Sequence, residues 1–270
     1  MRRMQTLKHM TARFKDNGLF SAENELAVEE LLEIYVDDSP YAITMRLPGD
    51  DINLAAGFCF TEGIIRSYDD IASIEHCEAI PGERRVMVHL SRDRKRAKSV
   101  RKERAEYLSK SSCGLCGKRE AEEIFDDIPP VETCRHIELE EILRLKDVFE
   151  GRQAIFPRTG STHSAAAFDD RANLLAFAED IGRHNAFDKV IGALLKTREL
   201  GKVFLGVVSS RLSFEMVQKA GVAGFEVFAG LSAATSLAVA MADRLNMTLI
   251  GFLREKSMSI YTHPERVLRC

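Results

Sequence analysis

The chain has 270 residues, 45% of them hydrophobic and 29% charged, a balance that fits one large or two smaller globular domains and excludes collagen, coiled coil and wholesale disorder. Thirty-eight Lys and Arg against 41 Asp and Glu leave a formal net charge of −3. Nothing global therefore draws the chain to nucleic acid or to a membrane, and any anion site has to be local. The most apolar region, 229–253, is broken by Asp243, Arg244 and Asn246, short of the roughly 18 uninterrupted residues that a membrane span needs.

The basic start from Met1 to Lys8 has no apolar stretch behind it, so it does not read as a secretory signal. Six irregularly spaced cysteines in a chain of this length read as reduced thiols rather than a disulfide framework. Both features lead to the expectation of a cytoplasmic protein. Residues 1–25 lack clear periodicity and are expected to be flexible. Alternation over 27–36 and 41–47 around Asp37-Asp38-Ser39-Pro40 predicts a β-hairpin. Pro48-Gly49-Asp50-Asp51 then offers an acidic N-cap to an apolar helix over 52–61, stopped by Gly63. Strands are predicted at 71–79 and 84–90, flanking Pro81-Gly82. Residues 26–91 thus form a small α+β unit.

Between Arg92 and Arg104 eight Lys or Arg face only Asp93 and Glu103. This run reads as a solvated helix or linker, without the interleaved aromatics that base stacking uses. Residues 92–135 are taken as a basic linker with a CxxC loop. Beyond them, over 136–270, a helix at 138–150 precedes strands at 163–168, 174–177, 203–209, 227–229 and 248–253. Helices at 185–196, 214–220 and 234–245 separate them, the alternation of a layered α/β domain.

Cys113 and Cys116, in the pattern CGLCG, are the sharpest chemical feature. Two thiols at this spacing meet in one turn, and Lys118, Arg119 and the preceding basic run favour the thiolate. Half a zinc site, completed by Cys134 and His136, a dithiol redox pair, a persulfide-carrying nucleophile and two incidental thiols are all compatible with that spacing. A second constellation comprises four clusters, Arg158 to His163, Glu179 to Asn185, Ser209 to Phe214 and Leu231 to Ser236. Each falls where a strand gives way to a helix or turn, the place where open α/β sheets bind ligands and helix amino termini meet phosphates. The phosphate loop GxxxxGK[ST] and the PCxxC element of zinc deaminases do not occur, and His163 in the first cluster is followed by Ser164 and Ala165 rather than by the HxE pattern.

With these residues assembled, the chain resembles the FdhD/NarQ family of formate dehydrogenase accessory sulfurtransferases. The resemblance runs from about Leu26 to Arg266 and is carried by SSCGLCGK, RTGSTHSAAAF, EDIGRHNAFDKVIG, SSRLSFEMVQKAG and GFLREKSMSIYTHPER, with a long amino-terminal segment before them. It implies a smaller α+β amino-terminal domain and a cytidine deaminase-like three-layer α/β carboxyl-terminal domain. It also implies a sulfurtransferase with a cysteine persulfide intermediate: a cysteine desulfurase loads Cys113, Cys116 shares or resolves the persulfide, and the sulfur passes to the molybdenum of bis(molybdopterin guanine dinucleotide). The sulfurated cofactor then goes to the formate dehydrogenase catalytic subunit, and the carrier is a homodimer without catalytic metal, nucleic acid or membrane. The family's cofactor-binding segment falls on Phe252, Leu253, Arg254, Glu255, Lys256 and Ser257, and the cleft residues facing the cofactor would be Thr159, His163, Arg183, His184, Arg211 and Ser213. Two positions depart from the family pattern, Gly160-Ser161 for Gly-Gly and Ser209-Ser210-Arg211 for Ser-Gly-Arg, which bears on any left-handed backbone there. The alternative is a non-enzymatic chaperone that binds and delivers the cofactor, with incidental or zinc-bound thiols.

Overall fold

The computed structural model describes residues 4–77, 84–95, 128–132 and 135–269; Cys113, Cys116, Cys134 and most of the basic run lie outside them. The stretch expected to be flexible is instead a long antiparallel hairpin, β1 (Thr6–Lys15) and β2 (Gly18–Ala27), paired residue for residue. Its turn is Asp16-Asn17, both left-handed at φ 50° and 59°, which is the two-residue geometry that Asp, Asn and a following Gly favour. Alternation was hard to read there because few of its side chains are buried.

A four-stranded sheet follows, in the order β4-β3-β6-β5. Its strands are β3 (Glu30–Val36), β4 (Ser39–Arg46), β5 (Ile71–Cys77) and β6 (Arg85–Leu90). Leu32, Ile34, Val36, Val86 and Val88 share its buried face, against Leu54 and Ala55 of α1 (Asp51–Thr61). The expected acidic cap is not formed. Asp50 occupies the N-cap position in the left-handed region without a side-chain cap bond, and Asp51 pairs with the fully buried Arg46, Nε to Oδ1 at 2.8 Å. An acidic residue in the first turn still favours the helix dipole.

After a short β7 (Ile137–Glu138) and α2 (Leu139–Gly151) the larger sheet is built. It comprises β8 (His163–Phe168), β9 (Leu174–Asp180), β10 (Leu205–Val208), β11 (Val227–Gly230), β12 (Thr248–Gly251) and β13 (Ser259–Ile260), in the order β13-β12-β11-β10-β8-β9. A last strand, β14 (Val267–Leu268), runs parallel to β7. Alternate residues of β8 face opposite ways: Ala165 and Ala167 into one core, Ala166 and Phe168 into the other. The first core holds α4 (Arg183–Thr197), α5 (Phe214–Val222) and α6 (Ser236–Arg244); the second is closed by α2. The chain is therefore mixed α/β, with helices on both faces of the larger sheet. No helix among the described residues is long and apolar enough to cross a membrane.

The smaller sheet and α1 share the first core with the larger sheet. Contact is closest where α1 crosses α4. A Cβ on Gly57 would stand 1.9 Å from the Asp188 carbonyl oxygen, and one on Gly192 would stand 1.8 Å from that of Asn53. Each helix leaves a groove for the other's backbone, which fixes the amino-terminal unit against the middle of α4.

Candidate functional site: one edge of the larger sheet

β10, β11 and β12 are parallel, and β8 is antiparallel to both β9 and β10. Four strands, β9 to β12, therefore end at the same edge, where β8 begins. The clusters picked out in the sequence all lie there. The short α3 (Phe156–Thr159) precedes β8, α4 follows β9, α5 follows β10 and α6 follows β11. Backbone bonds tie these loops together: Leu212 N–H donates to Ala233 O at 3.0 Å, Thr235 N–H to Leu212 O at 3.0 Å, and Phe252 N–H to Ser232 O at 3.0 Å. The amino ends of α4, α5 and α6, each with first-turn N–H groups lacking helical acceptors, converge on this edge.

Two neighbouring carboxylates at the end of β9 hold the edge in shape. Glu179 accepts the backbone N–H groups of Ala154, Ile155 and Phe156 at 2.7 to 2.9 Å and the Thr162 hydroxyl at 3.1 Å. Asp180, fully buried, pairs with Lys189 at 2.7 Å. It also accepts the N–H groups of Gly182 at 3.0 Å and Leu47 at 3.1 Å. Asn185 bridges Asp180 to Met45 O and Thr44, so the loop before α4 is moored to the smaller sheet.

Under the α3 loop lies a cavity of about 590 Å³. His163, Thr162, Ser209, Gln153, Phe156 and Leu231 are among its walls. His163 Nδ1 is 3.3 Å from Ser209 Oγ, which also accepts the Ser164 N–H at 2.9 Å. Burial, with Arg183 adding to it and Asp180 opposing, holds the His163 imidazole below its ordinary pKa.

At the head of α4, burial lowers the His184 pKa to about 4, reinforced by Arg183 and Lys219 and opposed by Glu215. Its imidazole is neutral at pH 7. Among the described residues, neither His184 Nε2 nor Arg183 Nε has a hydrogen-bond partner, although both atoms are buried. Glu215, in the first turn of α5, would be raised by burial, but its own N–H, the Ser213 hydroxyl, His184 and Arg183 hold it below the ordinary carboxylate value. One helical turn deeper, Lys219 bonds both Asp188 oxygens at 3.0 and 2.9 Å and Thr61 Oγ1 at 2.7 Å. Burial pushes the Asp188 pKa up against the pull of Lys219. The two helices thus meet through stacked polar tiers, the outer containing His184 and Glu215 and open to use, the inner closed on itself.

The expected site residues divide. His163 lines the cavity, Arg183 and His184 head α4, and Ser213 is the N-cap position of α5. Arg211 is exposed beside them. Thr159 is instead bound into its own turn, donating to Ile155 O at 3.0 Å, and is not among the cavity walls. Leu253 is fully buried in the second core, so its side chain is structural. Phe252 is left-handed at φ 50° and 45% exposed. Arg254 donates to Leu231 O, and Glu255, Lys256 and Ser257 are exposed. Neither Ser161 nor Ser210 has left-handed backbone, which falls on Gly160 at φ 66°, so neither departure strains the chain there. Glu179 and Asp180 open the second cluster, but the sequence does not show that they brace the edge, nor that Gln153 bonds Ser164, because the Ala154 to Phe156 and Leu47 N–H groups and the Ser164 hydroxyl come from other elements.

The sequence profile of the FdhD/NarQ family matches residues 27–268. The chain is 38% identical over 275 residues to a protein named sulfur carrier protein FdhD from Streptomyces avermitilis, covering 97% of this chain and 95% of that one. It is 36% identical over 266 residues to a protein of the same name from Sulfolobus acidocaldarius, covering 98% and 99%. A crystal structure of a candidate formate dehydrogenase accessory protein from Desulfotalea psychrophila shares the fold, with a TM-score of 0.78 at 23% identity, over 98% of this chain and 100% of that one. By its match over nearly the full length, the chain belongs to the FdhD/NarQ family.

Proposed function

We propose that this chain is a sulfur carrier in the maturation of formate dehydrogenase, working in the cytoplasm as a homodimer. The observation that carries the reading is a family match that runs through CGLCG, to relatives named as sulfur carriers. Cys113 thiolate attacks the terminal sulfur of a cysteine desulfurase persulfide; the new bond is Cys113 to sulfur, and the desulfurase thiolate leaves. Attack of Cys116 thiolate on the Cys113 sulfur then forms a disulfide between the two and releases hydrosulfide. The dithiol thereby supplies the two electrons that reduce sulfane sulfur to sulfide. Neighbouring cations lower the thiol pKa and stabilise both leaving groups, the desulfurase thiolate and the hydrosulfide.

The acceptor in this reading is the molybdenum of bis(molybdopterin guanine dinucleotide), carried as cargo for the formate dehydrogenase catalytic subunit. The sheet edge suits a large polyanion: three helix amino ends converge there, and the buried Arg183 Nε and His184 Nε2 have no protein partner among the described residues. Arg183, Arg211, Arg254 and Lys256 would hold anionic oxygens, His163, His184 and Ser213 would bond neutral or anionic groups, and Phe252 would offer a ring face. Glu255 and Ser257 stand at the rim, while Leu253 and Thr159 serve the scaffold. The layered unit reads as a cytidine deaminase-like scaffold put to a different chemistry, supported by its mixed sheet with helices on both faces.

Cys113→Ala, expressed in cells lacking the native carrier, is expected to abolish formate dehydrogenase activation while leaving the amount of folded carrier unchanged. Activation that persists at the wild-type level would overturn sulfur carriage and leave a cofactor-delivering chaperone.

A further inference from the structure

The cavity under the α3 loop differs electrically from the helix heads beside it. Among the described residues, no Lys or Arg walls it. Its charged wall residue, Glu150, is already paired: Oε2 accepts Lys146 Nζ at 2.9 Å, while Oε1 has no partner among the described residues. A phosphate placed there would be desolvated without a cation to meet it. Phe156, Ile181 and Leu231 add apolar wall, and Phe156 is 43% exposed, so its ring stands at the mouth. A volume of about 590 Å³ is ample for a bicyclic ring. The polar walls have a fixed sense. Thr162 spends its hydroxyl proton on Glu179 at 3.1 Å, and Gln153 donates its amide to Ser164 Oγ at 3.1 Å. Ser209 Oγ accepts the Ser164 N–H at 2.9 Å, and among the described residues its own proton has one acceptor, His163 Nδ1 at 3.3 Å. A neutral imidazole that accepts at Nδ1 carries its proton on Nε2. Burial and Arg183 keep His163 neutral at pH 7.

We infer that this cavity is a subsite for an uncharged ring with a lactam edge, and that Ser209 is the positioning residue that sets its polarity by turning His163 into a donor. The ring carbonyl accepts from His163 Nε2, a ring N–H or amino group donates to Glu150 Oε1, and Phe156 covers a ring face. A ring with an amino group in place of the carbonyl meets donor with donor and is refused, because a buried polar group left unpaired costs more than a formed bond contributes. The inference rests on the proposed function and deepens it. The guanine and pterin rings of the cargo both carry an amino group and a carbonyl flanking one ring N–H, whereas their phosphates fit the arginines at the helix heads. The edge of the larger sheet is thus divided into a neutral pocket for a ring and a cationic rim for its phosphates.

The test is titration calorimetry of the full chain with two uncharged probes, guanosine and hydroxymethylpterin, against adenosine, which has an amino group where guanosine has its carbonyl. At least one of the two is expected to bind about 10-fold or more tighter than adenosine, and the one that does identifies the ring that occupies the subsite. Ser209→Ala, shown to be folded by circular dichroism, is expected to lose about 10-fold of that preference, and Ser209→Thr, which keeps the hydroxyl, to retain it. Long-range proton–nitrogen NMR of the labelled chain, with His163→Gln identifying the signal, is expected to show the His163 proton on Nε2. Four results would overturn the subsite: no probe bound, adenosine bound as tightly as the other two, a preference unchanged in Ser209→Ala, or the proton on Nδ1. Persulfide loading on the same samples separates the two readings. Loading without probe binding overturns the subsite alone, and probe binding without loading overturns sulfur carriage alone.

Discussion

His184 stands at the head of α4 with its pKa lowered by burial to about 4, whereas in the unfolded chain it returns to about 6.5. The folded state therefore binds fewer protons than the unfolded state between these values. The stability is fully present above about pH 6.5 and is lost as pH falls, by about 3 kcal/mol at pH 4. His184→Gln should remove that component: urea unfolding at pH 7 and pH 4 should show a loss about 3 kcal/mol smaller in the variant than in wild type, and an equal loss would contradict the buried neutral imidazole. His184, Arg183 and Ser213 were legible in the sequence because each follows turn chemistry at the start of a helical pattern. The carboxylates that hold them were not. Asp180 reaches Leu47 and Lys189, and Asp188 reaches Thr61 and Lys219, pairings that only the folded chain brings together.

Strands and helices of the larger sheet were readable because apolar periodicity and turn residues agree there, and β8 falls at its predicted bounds. Two element-level features were not. The amino-terminal hairpin carries its turn signal, Asp16-Asn17-Gly18, but its exposed strands lack the polar and apolar alternation that burial imposes. The crossing of α1 and α4 depends on Gly57 and Gly192, each an ordinary helix interior in sequence and each within 2 Å of a facing carbonyl once a Cβ is added. Alanine at either position gains about 1 kcal/mol of helix propensity but forces the helices apart, a typical overpacking cost of about 1–3 kcal/mol or more. Gly57→Ala and Gly192→Ala should each lower the Tm by several degrees in a thermal melt. A raised Tm would show that the helices do not approach through these glycines.

In the whole molecule, the larger sheet gathers four loops at one edge, the smaller sheet braces the loop before α4 through Met45, Leu47 and Asn185, and the hairpin is tied to α3 through Arg158 on Glu25 and Thr6 and to Pro48 through Gln5. Sequence clusters at strand ends point to one edge of the larger sheet because parallel strands must end together, whereas the ties of the hairpin to α3 and Pro48 are visible only in the folded chain. The proposed maturation turns on sulfur travelling on Cys113. It is tested most directly by incubating the protein with a cysteine desulfurase and cysteine, alkylating without reductant, and measuring by mass spectrometry the peptide that spans Cys113 and Cys116. The expected result is one added sulfur on Cys113 in Cys116→Ala, none in Cys113→Ala, and in wild type either the added sulfur or the Cys113–Cys116 disulfide that its release leaves. A Cys116→Ala peptide without added sulfur, while the desulfurase itself carries a persulfide, would overturn sulfur carriage on Cys113.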